Sequence, residues 1–145
     1  TRYPLVTGVQ TCALPISILN TGSPHYIQPV TQLDSLDVDS LGKRIRYNDE
    51  FSKSGINVNF IEPLSDGLHI RTYERGVEAE TLSCGTGATA AALSVAAVSP
   101  QPQTVVLQTR GGELAIKFLH TQEQQFRDIH LCGPATFVFS GIIEL

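Results

Sequence analysis

The stretch Glu80-Thr-Leu-Ser-Cys84-Gly85-Thr86-Gly87-Ala88, continued by Thr89-Ala-Ala-Ala-Leu93, sets one thiol directly before a Gly-Thr-Gly turn and an alanine-rich run. Alanine favours helix, so the turn is read as a helix start. Such a start leaves its first backbone N–H groups without partners and carries a partial positive charge, which makes it a seat for a carboxylate or phosphate. A thiol at the same place is more readily ionised, hence more basic and more nucleophilic. The paired glycines, Gly85 and Gly87, leave the backbone open to close approach. A small buried cysteine at a tight turn is the plain structural alternative.

Working outward, Ala88 to Val98 carries no charge and is small or apolar on every side. A helix without a polar face must be surrounded by protein, so this segment is expected as a fully buried helix ended by Pro100. Strands are expected at His25–Val30 after the Gly22-Ser-Pro24 turn, then at Asn57–Ile61 and His69–Tyr73 around a turn at Ser65-Asp-Gly67. Thr104–Thr109 and Glu113–Phe118 read as a hairpin across Gly111-Gly112, and Arg127–Leu131 and Ala135–Phe139 as two further strands. Leu36–Tyr47 reads as an amphipathic helix, with Val38, Leu41 and Ile45 on one face. Its acidic residues crowd the start and Lys43, Arg44 and Arg46 the end, the order that complements the helix dipole. These elements predict an α+β domain whose sheet wraps around the apolar helix.

Composition narrows the class of protein. With 145 residues and 41% hydrophobic content the chain can bury one domain-sized core. A net charge of −4 and the lack of a basic run argue against nucleic acid as a partner. No apolar run reaches the roughly 18 residues that a membrane span needs. The three cysteines, Cys12, Cys84 and Cys132, are odd in number and show no metal-ligand spacing, which suits a reducing cytoplasm. The four histidines are scattered, so no metal site is expected.

The first residues read differently from the rest. Val6–Ile16 follows no helical or strand period, lacks the basic start and apolar core of a signal peptide, and resembles the in-frame translation of a sequencing adapter. Residues 1–17 are therefore expected to be a non-native segment, and residues 18–145 the domain.

Six motifs in order then carry a family resemblance: Gly22-Ser-Pro-His25, Gly55-Ile-Asn-Val-Asn-Phe60, Tyr73-Glu-Arg-Gly76, Cys84-Gly-Thr-Gly-Ala88, Arg110-Gly-Gly-Glu-Leu114, and Gly133-Pro-Ala135 with Gly141-Ile-Ile143. From about Ile18 to Leu145 the chain resembles the carboxy-terminal half of diaminopimelate epimerase. The resemblance implies one domain of a two-domain fold, with a mixed or mostly antiparallel sheet around the central helix. It also implies an isomerase without cofactor that interconverts LL- and meso-diaminopimelate, for lysine and peptidoglycan synthesis, with each domain donating one cysteine. Cys84 would be the acid/base of this half. Gly85, Thr86 and Gly87 would hold the reacting carboxylate, with a simple helix N-cap as the plain alternative for Thr86.

By the same resemblance Asn57, Glu74 and Arg75 would serve the distal end of the substrate, with Glu74 either at its ammonium group or tuning the thiols, and His25 would lie beside the cleft and influence the thiols. Ser23 stands where many members carry asparagine, and Gly76-Val-Glu-Ala-Glu80 is one residue longer than the commonest form. The implied partners are the small-molecule substrate and the other domain, whose cysteine motif is not in this sequence. A homodimer stays open, and a fragment with one thiol is expected to be inactive alone. The competing readings are another two-thiol racemase of the same superfamily, a cysteine-nucleophile hydrolase with a His–Asx pair beside Cys84, and a non-catalytic binding domain.

Overall fold

A computed structural model describes residues 15–97, 99–121 and 125–144. The expectation of a non-native segment falls mostly on residues 1–14, which lie outside the described residues. The first strand, β1 (Ser17–Asn20), opens at Ser17, one residue before the expected boundary, and Ile16 packs against a core cluster.

Strands β2 (Pro24–Pro29), β3 (Asn57–Leu64), β4 (Gly67–Glu74), β5 (Ala79–Thr81), β6 (Ser99–Thr109), β7 (Gly112–His120) and β8 (Phe126–Cys132) follow, with helices α1 (Val38–Arg46) and α2 (Gly85–Ser94). Among the described residues the strands form one mixed sheet in the order β1-β2-β3-β4-β6-β7-β8, with β5 paired to β4. The β2/β3 and β4/β6 pairs are parallel, the others antiparallel. The fold is α+β, and α2 touches β1, β2, β3, β4, β6, β7 and β8, so the sheet curls around it.

The β2–β4 part of the sheet is covered on both faces. Ile27, Ile61, Ile70, Leu107, Ile116 and Phe118 pack with the alanines of α2. Tyr26, Val58, Phe60 and Tyr73 pack on the other side with Val38 of α1 and with Leu33 and Phe51. Strand alternation explains the split: on β3, Val58 and Phe60 point one way while Asn59 and Ile61 point the other. Helix α1 starts as its sequence dictates, with the Asp37 carboxylate accepting from the Ser40 N–H at 3.0 Å. Gly42 lets it close on Tyr73, where any Cβ would overlap the ring.

Two expectations are corrected. The buried helix spans Gly85–Ser94 rather than Ala88–Val98, and β6 already begins at Ser99, so Pro100 lies inside a strand. Gly87, Ala88, Ala90, Ala91, Ala92 and Leu93 are buried, while Val95 and Ala97 are exposed: the sheet encloses three turns and no more. Likewise Ala135–Phe139 forms no strand. Pairing of β8 with β7 ends at Cys132, and Pro134 has no N–H to extend the ladder. Residues 133–144 carry no regular structure, and Phe137, Phe139 and Ile142 are exposed at 80%, 81% and 97%.

Candidate active site

The approach to Cys84 is clamped on both sides. Arg71 on β4 grips Glu80 on β5 with two 2.7 Å hydrogen bonds, Nε to Oε1 and Nη2 to Oε2, and Arg110 adds a third contact at 3.0 Å. The side chain of Glu80 is only 7% exposed, and the Arg71 guanidinium holds its carboxyl below the usual range. Two residues later the Leu82 carbonyl accepts from the Gly111 N–H at 2.8 Å. A four-residue turn, 75–78, with Gly76 and Glu78 at positive φ, joins β4 to β5 and leaves Glu74 paired with Ala79.

Cys84 is the N-cap of α2 in extended conformation, without a capping bond from its side chain. The first helical hydrogen bond runs from the Ala88 N–H to the Cys84 carbonyl at 2.8 Å. No acceptor among the described residues takes the N–H groups of Gly85, Thr86 or Gly87, and no acidic residue sits in the first turn. The sulfur is half-buried, beside a small depression lined by Ile70, Thr72, Thr81, Leu82 and Ser83.

Thr86 is therefore not the N-cap. Its hydroxyl lies 2.9 Å from His25 Nε2 and 3.6 Å from the Cys84 sulfur, and its carbonyl accepts from Thr21 Oγ1 at 2.8 Å. His25 on β2 is fully buried, and burial and the positive charge of Arg75 push its pKa down to about 4. The ring is neutral near neutral pH. Behind it Asn59 Nδ2 lies 3.1 Å from His25 Nδ1, and Thr72 Oγ1 donates to Asn59 Oδ1 at 2.9 Å. Gly87 has a protein reason to be glycine: a Cβ there would come 2.5 Å from Asn59 Oδ1. Asn59 and Thr72 were missed in the sequence, although a polar residue between Val58 and Phe60 was the available signal for Asn59.

A second group lies next to the first, since Asn57 is the register partner of His25 in the parallel β2/β3 pair. Asn57 Nδ2 donates to Ser23 Oγ at 2.8 Å and to the Pro24 carbonyl at 3.0 Å, and its Oδ1 accepts from the Arg75 N–H at 2.9 Å. The exposed Arg75 guanidinium is held by the Ser54 carbonyl at 3.0 Å and Ser23 Oγ at 3.3 Å. Those bonds use two of its five donors, so a planar edge is left for a carboxylate. The Glu74 carboxylate instead accepts from Thr81 Oγ1 at 2.9 Å, on the β5 side. Ser23, His25, Asn57, Arg75, Cys84 and Thr86 thus fall into two adjoining groups, and Glu74 is held by Thr81, which lines the depression beside Cys84.

Among the described residues no cluster of three or more His, Cys, Asp or Glu side chains could hold a metal ion, and no helix is long and apolar enough to cross a membrane.

The fold of this sheet and helix is shared with a solved structure described as a predicted epimerase from Pseudomonas aeruginosa, at a TM-score of 0.52 and 13% identity over 79% of this chain and 36% of that one. The family model for diaminopimelate epimerase matches residues 17–138, and the chain belongs to that family. It is 45% identical over 127 residues to the diaminopimelate epimerase of Flavobacterium psychrophilum, covering 86% of this chain and 49% of that protein. With the Aquifex aeolicus enzyme of the same name it shares 44% over 128 residues, 85% of this chain and 44% of the relative. The Chlorobaculum tepidum one matches at 43% over 141 residues, 95% and 53%. The chain spans about half the length of these curated relatives.

Proposed function

We propose that this chain carries one half of a cofactor-independent epimerase acting at the α-carbon of diaminopimelate, with Cys84 as the proton-transfer group on one face. The observation that carries the reading is the sulfur beside three N–H groups at the start of α2 that have no partner among the described residues. A carboxylate seated on Gly85, Thr86 and Gly87 would bring its α-carbon next to the sulfur, and those dipoles would draw charge off the carbanion that forms. Thiolate takes the α-proton in one direction and thiol returns it in the other. At the opposite end of the site Arg75, steadied by Ser23 and Asn57, would take a distal carboxylate. Glu74 would lie toward the distal ammonium group.

Inversion needs a second acid/base on the other face, and half-length coverage of the relatives leaves room for a second domain to supply it. Such a domain would also cover the exposed apolar side chains of residues 133–144. The hydrolase reading is the weaker one, because His25 reaches the sulfur only through Thr86 and a ring of such low pKa is a poor base.

The test joins residues 17–145 to the amino-terminal half of the Flavobacterium psychrophilum relative. The chimera should convert the LL to the meso isomer, the full chain alone should not, and Cys84→Ala should abolish turnover. A chimera that melts cooperatively and yields no meso product sinks the proposal, as does turnover that survives Cys84→Ala.

A further inference from the structure

The polar groups behind Cys84 can be assigned hydrogen by hydrogen. Besides facing His25, Asn59 Nδ2 lies 3.1 Å from the Tyr26 carbonyl oxygen. A carbonyl only accepts, so the amide nitrogen, not its oxygen, must occupy that side. Thr72 Oγ1, donating to Oδ1, agrees with the same orientation. One amide hydrogen then goes to the Tyr26 carbonyl and the other to His25 Nδ1, which must therefore be a bare lone pair. In a neutral ring the proton is on the other nitrogen. His25 Nε2–H donates to Thr86 Oγ1, and the Thr86 hydroxyl hydrogen is left to point elsewhere. The polar atom that faces it is the Cys84 sulfur.

We propose that Asn59, locked by Thr72 and the Tyr26 carbonyl, is a positioning residue that fixes the Nε2–H tautomer of His25 and so aims the Thr86 hydroxyl proton at the Cys84 sulfur. The chain Thr72–Asn59–His25–Thr86–Cys84 runs in one donor direction and ends on the Cys84 sulfur. A buried His25 in the other tautomer would instead accept the Thr86 proton and turn the hydroxyl away from the sulfur. Thr86 is exposed and Asn59 wholly buried, so the orienting end of the chain is shielded from water and the delivering end faces the site. Use of this device in proton transfer rests on the reading of Cys84 given above; the tautomer and its effect on the sulfur do not.

The experiment uses the full chain with 15N-labelled histidine. Near pH 7 the His25 resonances should show Nδ1 unprotonated and Nε2 protonated. Asn59→Asp places an acceptor against Nδ1 and should move the proton to it, and Asn59→Leu should leave a tautomer mixture. Iodoacetamide labelling of Cys84 at one pH gives the second readout, with Cys132 as internal control. Losing a hydrogen bond to a charged acceptor changes the thiolate population by about tenfold, and roughly half of that logarithm is offset by nucleophilicity. Thr86→Val and Asn59→Asp should therefore each slow Cys84 about threefold, with Thr86→Ser restoring the rate. A wild-type His25 protonated on Nδ1, or charged, overturns the proposal. So does an unchanged Cys84 rate in folded Thr86→Val, a variant at an exposed position that keeps the test open if Asn59→Asp does not fold. Neither readout uses turnover, so failure of the epimerase reading would show in the chimera and leave these results intact.

Discussion

His25 Nε2 lies 2.9 Å from Thr86 Oγ1, a contact between residues 61 apart in sequence that ties a fully buried ring on β2 to an exposed residue in the first turn of α2. It couples the acid–base behaviour of the core to the geometry around Cys84, and the first prediction follows from it.

A ring that titrates at about 4 when folded and about 6.5 when unfolded binds fewer protons in the native state between those values. Its contribution is fully present above pH 6.5 and is lost as pH falls toward 4. Urea titrations across that window should show stability dropping by an amount on the order of 3 kcal/mol attributable to His25. His25→Gln should be less stable at pH 7 and show a flatter profile. An equally steep profile in that variant would assign the acid sensitivity to other groups.

Ala91 is fully buried in α2, with the sheet around it. Ala91→Asp places an unpaired charge there and should cost more than about 4 kcal/mol, enough to unfold a domain of ordinary stability. Val95→Asp, one turn on and past the end of the helix at an exposed position, should cost less than about 1 kcal/mol. Denaturant midpoints of the two variants provide the check.

Glu80 is shared by Arg71 and Arg110 with little solvent access. Glu80→Gln removes the charge and leaves two guanidinium groups facing each other, so a loss of about 3 kcal/mol is expected. Because β5 leads directly into Cys84, the variant should also expose the sulfur to labelling faster than its loss of stability alone explains. Comparing labelling rates with denaturation curves separates the two effects.

Arg75→Lys keeps the charge but loses the planar fork. In the chimera it should raise KM for diaminopimelate about tenfold or more while changing kcat less. A fall confined to kcat would move Arg75 from distal binding to the chemical step.

Removing residues 1–14 should leave the melting temperature within about 2 °C, whereas removing residues 1–17 should lower it, because Ser17 pairs with Ile27 and Ile16 packs on the core. Equal melting temperatures for the two deletions would show that β1 adds nothing before Ile18.

Much of this molecule was legible in the chain because local chemistry dictated it. The Gly-Thr-Gly turn before an alanine run can only begin a helix, and a helix with no polar face must be enclosed. Asp37 and the basic residues near Arg46 bracket α1, and Ser65-Asp-Gly67 and Gly111-Gly112 sit at hairpin turns. The family motifs carried the fold and the epimerase class further than periodicity did.

Other features depended on pairing partners distant in sequence. Val95 to Ala97 have the composition of the buried helix, but the sheet does not reach them and the helix stops. Ala135 to Phe139 is rich in strand-forming residues, yet pairing ends at Cys132, so its apolar side chains stay in solvent. Asn59 could not be connected to Cys84 from sequence, because the parallel register of β2 and β3 and the closeness of Gly87 bring them together. Local propensity and amphipathic pattern were fixed by neighbours in the chain. Strand register, helix length and the direction of the buried hydrogen bonds were decided by contacts that exist only once the sheet has closed around α2.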